Sequence, residues 1–201
     1  MHNHPWEKAY KDKSFEITTK KPSIVVAKYK DRFSMGDNVL DVGCGNGRNT
    51  IFLSSLGCNI DCFDVADLEW KDKLPGDIKD KINFSKNVVN SFEYKANKYK
   101  SVIIARIIQY LNKEELNTFI DNVCISLTQN GFLLLSFSSD GGIFNQEQIK
   151  VPKYKYSIEE IKQLLENKFN EVIVEEGSKK SESVNYNSEI SSYDIFASNK
   201  K

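Results

Sequence analysis

Residues 39–50 of this chain read Val-Leu-Asp-Val-Gly-Cys-Gly-Asn-Gly-Arg-Asn-Thr. The pattern is typical of a short buried strand, a tight turn with a glycine at every second position, and the first turn of a helix. Gly43, Gly45 and Gly47 lack the Cβ atoms that would keep a ligand at a distance, and they tolerate positive φ. The helix that follows directs its N–H groups and the positive end of its dipole at the turn. We therefore predict a site for a nucleotide-like ligand.

The spacing of the glycines narrows the choice of ligand. A dinucleotide site requires G-x-G-x-x-G, but Arg48 stands where the third glycine belongs. The phosphate-binding pattern G-x-x-x-x-G-K-[ST] is absent. What remains is D-x-G-x-G-x-G, beginning at Asp41. An acid at that position would repel a pyrophosphate, and it suits a ligand that carries an amino group or a sulfonium.

A second acid follows the next predicted strand. Asp64 lies 21 residues after Gly43, a separation at which a carboxylate can bind both ribose hydroxyls. An ordinary surface aspartate at a strand end is the alternative, and Asp67 takes the ribose role if the strand ends later. After this glycine turn we favour the ribose role for Asp64.

The order of elements predicts an α/β doubly wound, Rossmann-like sheet of seven strands, mostly parallel with a C-terminal antiparallel strand. Capping boxes at Asn112/Glu115 and Ser157/Glu160 mark the starts of two helices, and a helix is also expected over Pro22–Phe33. The predicted strands are Val39–Val42, Asn59–Asp64, about 83–89, Ser101–Ile104, Phe132–Phe137 (after an Asn130-Gly131 turn), Glu171–Glu175 and Tyr193–Ala197.

Length and composition indicate one domain over residues 1–201. Lys+Arg and Asp+Glu both number 28, so the zero formal charge argues against nucleic acid as a partner. No apolar run reaches the roughly 18–20 residues of a membrane span, and the N-terminus has no signal-peptide pattern. The four cysteines form no C-x-x-C pair, so we predict no metal site and a cytoplasmic protein with reduced thiols.

Two segments can cover the ligand. Residues 1–21 are polar with interspersed aromatics, Trp6, Tyr10 and Phe15, and form either a packed arm or a lid. The loop over residues 138–156 is long, and long loops are often functional. We expect this loop on the substrate side.

The run from Asp41 to Gly47 resembles motif I of the class I S-adenosylmethionine-dependent methyltransferases. The stretch from Gly43 to Gly57 is more closely similar to G-C-G-x-G-R-N-[ST]-x-x-L-x-x-x-G of the small tellurite-resistance type. The resemblance covers the chain from about Pro22 to its end, and it implies S-adenosyl-L-methionine as the cofactor.

The resemblance also implies roles for individual residues. Asp41 and the glycine turn would hold the methionine and adenosine portions, Val89 and Asn90 would lie along the adenine, and Arg106 would meet the methionyl end. An acid is usual at the position of Asn90, so a weaker contact is expected there. The implied cofactor-binding set is Asp41, Gly43, Cys44, Gly45, Gly47, Asn49, Asp64, Val65, Val89, Asn90 and Arg106.

Methyl transfer from a sulfonium is an in-line displacement with a neutral leaving group, so positioning and desolvation matter most. The acceptor side is predicted to contain Tyr10, Arg106, Gln109 and Tyr110. No catalytic residue is assigned; Tyr10, Tyr110 and Asp140 are candidate bases, each with a plain packing or loop role as the alternative.

Three functions are compatible with these patterns. A small-molecule acceptor is favoured because the chain has almost no inserted substrate domain. A peptide or protein acceptor and a non-catalytic cofactor-binding protein are the alternatives. The methyl acceptor and the oligomeric state stay open at this point.

Overall fold

The structure is a computed structural model that describes residues 5–11, 20–66, 69–139, 151–177 and 192–201. Phe15, Asp67 and Asp140, named above, lie outside these ranges. The strands are β1 Asn38–Val42, β2 Asn59–Asp64, β3 Ile82–Lys86, β4 Tyr99–Ala105, β5 Leu127–Ser138, β6 Phe169–Glu176 and β7 Ser192–Lys200. The helices are α1 Pro5–Lys11, α2 Ile24–Lys28, α3 Arg48–Ser55, α4 Gly76–Lys79, α5 Lys113–Ser126 and α6 Ile158–Glu166, and 3-10 turns cover Lys30–Arg32, Glu69–Lys73 and Ile108–Tyr110.

The strands form a seven-stranded sheet in the order β3-β2-β1-β4-β5-β7-β6. The first five strands in the chain pair in parallel, and β7 lies antiparallel between β5 and β6. The predicted fold class is therefore confirmed. The chain runs outward from β1 to β3 and then returns to β4 beside β1, so a switch point opens at the carboxyl ends of these two central strands.

Apolar layers cover both faces of the sheet. In β4, Val102 and Ile104 pack into the layer under α5 and α6, whereas Ile103 packs into the opposite layer with α2 and α3. Alternate side chains of a strand point to opposite faces, so a central strand needs apolar residues at every position. This explains the uninterrupted Val-Ile-Ile run.

The fifth strand begins earlier than the pattern predicts. It starts at Leu127, directly after α5, and continues through the expected Asn130-Gly131 turn. Tyr99 of β4 pairs with Leu127, and Ser101 pairs with Phe132, so two steps along β4 span five along β5. A bulge absorbs the difference, which makes the Asn-Gly pair part of an irregular strand.

Other boundaries differ less. The helix expected over residues 22–33 is a short helix, α2, followed by a 3-10 turn, and the third strand ends at Lys86. Both predicted capping boxes are confirmed at the starts of α5 and α6. No helix in the described part of the chain is long and apolar enough to cross a membrane.

Candidate functional site

The glycine turn leaves β1 in a left-handed conformation. Gly43, Gly45 and Gly47 have φ of 63°, 53° and 75°. A Cβ on Gly43 would lie 2.1 Å from Cδ1 of Ile107, in the segment after β4. The turn therefore requires glycine here for its dihedral angles and for its close approach to a neighbour.

The end of β2 is tied to this turn through Asp64. Its Oδ2 accepts a hydrogen bond from the backbone N–H of Gly45 at 2.9 Å, and its Oδ1 accepts one from Ala66 at 3.0 Å. The N–H of Cys44 donates to the carbonyl of Phe63 at 3.0 Å. These contacts fix the position of the Asp64 carboxylate beside the turn.

A cavity of about 430 Å³ opens at the carboxyl ends of the central strands, in the usual range for small-ligand sites. The structure brings most of the predicted site residues together in its wall. These are Tyr10, Gly43, Cys44, Gly45, Asn49, Asp64, Val65, Val89, Asn90, Arg106, Gln109 and Tyr110.

Asp41 and Gly47, predicted with the cofactor-binding set, lie behind the turn and not in the cavity wall. Oδ2 of Asp41 accepts a 2.6 Å hydrogen bond from the Thr50 hydroxyl, and the residue is 1% exposed. Burial raises the pKa of Asp41 to about 6, although the bond from Thr50 opposes the rise. A Cβ on Gly47 would lie 2.7 Å from the Trp70 ring. In the structure, both residues support the turn from behind.

Residues 87–90 follow β3 and form another part of the wall, where Asn90 is held by α5. Its side-chain N–H donates to Oε1 of Glu115 at 3.1 Å, while Oε2 of Glu115 accepts from the N–H of Asn112 at 2.8 Å. Glu115 also lines the cavity. The sequence identifies Glu115 only as half of a capping box. Because that role already explains the residue, the sequence gives no separate indication that Glu115 lines a cavity.

Part of the cavity wall is aromatic. Trp6 of α1 packs edge-on against Tyr110, with ring centroids 5.4 Å apart, and lies 6.1 Å from Tyr10. Burial raises the pKa of Tyr110 to about 12, and burial followed by the charge of Asp64 also raises the pKa of Tyr10. Both tyrosines are therefore neutral phenols at pH 7. They are suited to donating hydrogen bonds but not to acting as general bases.

Arg106 stands at the end of β4 with φ of 63°, which is uncommon for a residue other than glycine. Its backbone N–H donates to the carbonyl of Ser136 at 2.9 Å, and its guanidinium donates to the Ser138 hydroxyl. These bonds to β5 hold the strained conformation, which directs Arg106 along the cavity wall.

Helix α1 is joined to the sheet by an ion pair. The Lys86 ammonium lies 2.8 Å from Oε2 of Glu7, whose side chain is almost buried. Together with Trp6 and Tyr10, this contact holds α1 against the cavity. Among the described residues, no group of three or more His, Cys, Asp or Glu side chains could hold a metal ion.

The sheet order, the glycine turn after β1 and the acid at the end of β2 together define a class I methyltransferase fold. A similar solved structure is 1,6-didemethyltoxoflavin-N1-methyltransferase from Burkholderia thailandensis, with bound 1,6-didemethyltoxoflavin and S-adenosylhomocysteine. It has a TM-score of 0.76 at 15% identity, over 98% of this chain and 86% of that one. Another is a SAM-dependent methyltransferase from Archaeoglobus fulgidus, with a TM-score of 0.65 at 18% identity, over 88% of this chain and 91% of that one.

Sequence comparison gives the family. A ribosomal protein L11 methyltransferase from Campylobacter concisus (strain 13826) is 31% identical over 130 residues, which are 64% of this chain and 43% of that protein. The chain thus spans less than half the length of this relative. Residues 4–145 match the family of the tellurite resistance protein TehB. The chain belongs to this family of S-adenosylmethionine-dependent methyltransferases, the type that its glycine turn resembles.

The residues present fit the cofactor of that family. The turn is free of Cβ atoms at Gly43 and Gly45, and a buried carboxylate, Asp64, stands beside it in the same wall. The same cavity wall also contains the aromatic residues Trp6, Tyr10 and Tyr110.

Proposed function

We propose that this chain transfers the methyl group of S-adenosylmethionine to a small-molecule acceptor. The observation that carries the proposal is the position of α1. Trp6 and Tyr10 from this helix line the cavity, and Trp6 packs on Tyr110, which also lines it. A cavity bordered in this way suits a small apolar or aromatic molecule better than a folded protein surface.

Specific roles follow for the residues around the cofactor. Asp64 binds the ribose hydroxyls, Val89 and Asn90 lie along the adenine, and the glycine turn with Arg106 takes the methionyl end. Because Glu115 accepts the Asn90 side-chain N–H, the Asn90 amide oxygen is left to accept from the exocyclic amine of the adenine.

The two covering segments complete the proposal. We propose that α1, the described part of residues 1–21 that borders the cavity, acts as a lid; residues 1–4 and 12–19 lie outside the described residues. Residues 138–156 form the substrate-side loop: Ser138 and Val151 contribute to the wall, and the Tyr156 hydroxyl donates to the Leu111 carbonyl at 2.6 Å. Residues 140–150 of this loop lie outside the described residues.

The chemistry requires little of the protein beyond placement. The bound cofactor supplies an activated methyl group whose leaving group is a neutral thioether. The chain aligns the acceptor with that methyl group and excludes water, for which the apolar and aromatic wall is suited. An amine in its unprotonated form or an anionic nucleophile already has a reactive lone pair and needs no general base.

A protein acceptor is the second candidate, favoured by the 31% identity to a ribosomal protein L11 methyltransferase. The deciding experiment incubates the protein with methyl-labelled S-adenosylmethionine and a cell extract, and then separates the extract into protein and small-molecule fractions. Label in the small molecules supports the proposal, and label confined to protein supports the second candidate. Tight cofactor binding without any labelled product would indicate a non-catalytic binding protein.

Cofactor binding is tested separately by calorimetry. Asp64→Ala is expected to weaken S-adenosylmethionine binding by about 1–3 kcal/mol, because a charge-assisted hydrogen bond is lost and its partners are left unpaired. Asp61→Ala is the matched control. That carboxylate lies on the same strand but is bonded to Tyr99 and Asn83, away from the cavity. Unchanged affinity in Asp64→Ala would exclude the ribose role.

A further inference from the structure

Glu115 has two positions to serve: it caps helix α5 and it lines the cavity. Its Oε2 accepts from the N–H of Asn112 at 2.8 Å, and its own N–H donates to Oδ1 of Asn112 at 3.0 Å, which completes the capping box. Its Oε1 accepts the side-chain N–H of Asn90 at 3.1 Å. The capping box uses only one of the two carboxylate oxygens, so the contact with Asn90 is additional to the role in the helix.

This contact determines which way the Asn90 amide faces. A carboxylate offers only lone pairs, so Asn90 turns an N–H toward Glu115 and its amide oxygen away from it. The wall segment that carries Asn90 is held from its other side as well, because the Tyr94 hydroxyl donates to the Val89 carbonyl at 3.0 Å. The orientation of Asn90 therefore follows from contacts of the fold.

Asn90 and Glu115 together give this part of the wall a set of hydrogen-bond acceptors. Both residues line the cavity, and since Asn90 is exposed and Glu115 is half-buried, a bound molecule can reach them. Asn90 offers its amide oxygen. A carboxylate has about four acceptor positions, and the described contacts of Glu115 use two of them. Such a pair attracts an amino group and repels a carbonyl oxygen placed against it.

We propose that Glu115, together with the Asn90 amide that it orients, selects a 6-aminopurine as the base of the cofactor. This inference rests on the proposed function, in which Val89 and Asn90 lie along the adenine. The exocyclic amine of adenine donates to the pair, whereas a 6-oxopurine sets an oxygen against its acceptors. Glu115 is a specificity residue in this scheme and takes no part in the transfer of the methyl group.

The test compares S-adenosylhomocysteine with S-inosylhomocysteine, in which an oxo group replaces the 6-amino group. Dissociation constants for both are measured by calorimetry at neutral pH. The wild-type protein is expected to bind S-adenosylhomocysteine at least about tenfold more tightly, since a site built to bond an N–H rejects the analogue that lacks it.

Two variants assign this preference to the pair. Glu115→Gln keeps the length of the side chain, and its amide oxygen can still cap α5. Its NH2 group then faces Asn90, so the Asn90 amide turns around and presents an N–H to the cavity. S-adenosylhomocysteine should bind more weakly and S-inosylhomocysteine more tightly, and the ratio of the two constants should fall at least about tenfold. Asn90→Ala leaves the capping box intact and should lower the ratio by about fivefold, the loss of one hydrogen bond. It keeps the test available if Glu115→Gln does not fold.

The second capping box of the chain provides a matched control. Glu160 begins α6 in the same way: its Oε2 accepts from the N–H of Ser157 at 3.0 Å, and its N–H donates to the Ser157 hydroxyl at 3.1 Å. Glu160 does not line the cavity that contains Glu115. Glu160→Gln therefore makes the same change at a helix start and should leave the ratio of the two dissociation constants at its wild-type value.

Three results would overturn the inference while the proposed function stands. They are equal binding of the two ligands by the wild-type protein, an unchanged ratio in Glu115→Gln or in Asn90→Ala, and a ratio that falls as far in Glu160→Gln as in Glu115→Gln. Failure of the wild-type protein to bind S-adenosylhomocysteine is a different result, which would refute the proposed function and the inference with it.

Discussion

Asp41 should make the stability of this protein depend on pH in an unusual direction. Its carboxyl group is fully buried behind the glycine turn, with the Thr50 hydroxyl 2.6 Å from Oδ2. Desolvation raises its pKa from 3.8 to about 6, and neither the bonds from Thr50 nor the charge of Arg48 reverses this. The folded state therefore binds a proton at a pH where the unfolded chain has already released it.

The sign and size of the effect follow by linkage. Between about pH 4 and pH 6 the folded protein holds more protons than the unfolded chain, so the free energy of unfolding falls as pH rises through this window. A difference of about two pKa units at roughly 1.4 kcal/mol each amounts to roughly 3 kcal/mol. This stabilisation is fully present below about pH 4 and is lost above about pH 6.

The substitution Asp41→Asn isolates this contribution, because the amide is neutral at every pH and can still accept from Thr50. Urea unfolding of wild type and variant between pH 4 and pH 8 should give nearly equal stabilities at the acid end. At pH 8 the variant should be more stable by roughly 3 kcal/mol. The exposed substitution Asp31→Asn makes the same chemical change at the surface, serves as the control and should give only a small difference in stability. A constant difference for Asp41→Asn, or a wild type more stable than the variant at pH 8, would refute the reasoning.

Two further predictions concern the turn and the lid. Gly47→Ala should lower the free energy of unfolding by about 1–3 kcal/mol, since φ is +75° and the new Cβ would lie 2.7 Å from the Trp70 ring. Gly36→Ala is the control, because Gly36 has a similar φ of +86° but a Cβ there would meet nothing within 4 Å. Chemical denaturation should therefore show a larger loss of unfolding free energy for Gly47→Ala, and the excess measures the contact with the Trp70 ring. Equal losses in the two variants would contradict this contact. Lys86→Met removes the cation paired with the nearly buried Glu7 and should speed hydrogen exchange of the α1 amides severalfold. Unaltered exchange would show that the aromatic contacts alone hold the helix.

The sequence was most informative where one physical requirement dominated the choice of residue. The central strands are buried on both faces, so their apolar runs and their order were readable. Two helix starts were readable because both halves of each capping box lie three residues apart. The start of β5 was not readable from the sequence, because an Asn-Gly pair is typical of a turn. The strand continues through this pair because Leu127 pairs with Tyr99 of β4, a contact that the local sequence does not reveal.

Most of the residues that the sequence groups into one site line one cavity in the structure. The spacing groups Asp41 and Gly47 with Gly43 and Gly45, but spacing alone does not tell which residues of a tight turn line the cavity and which lie behind it. Glu115 was hidden because its capping role already explained it. Gln109 was predicted on the acceptor side, yet that its side-chain oxygen is buried without a partner depends on side-chain placement across several elements.

The two sides proposed for the ligands of the cavity rest on different parts of the fold. On the side proposed for the cofactor, the Asp64 carboxylate bonds the N–H of Gly45 in the turn, and Asp41 bonds Thr50 behind the turn; the two acids lie on adjoining central strands. On the side proposed for the acceptor, the wall comes from α1 and from the 3-10 turn after β4. Substitutions at sites with no shared contacts usually act independently. Gln109→Met should therefore leave the dissociation constant for S-adenosylhomocysteine unchanged, and a coupled change in that constant would mean that the two sides are not separate in this protein.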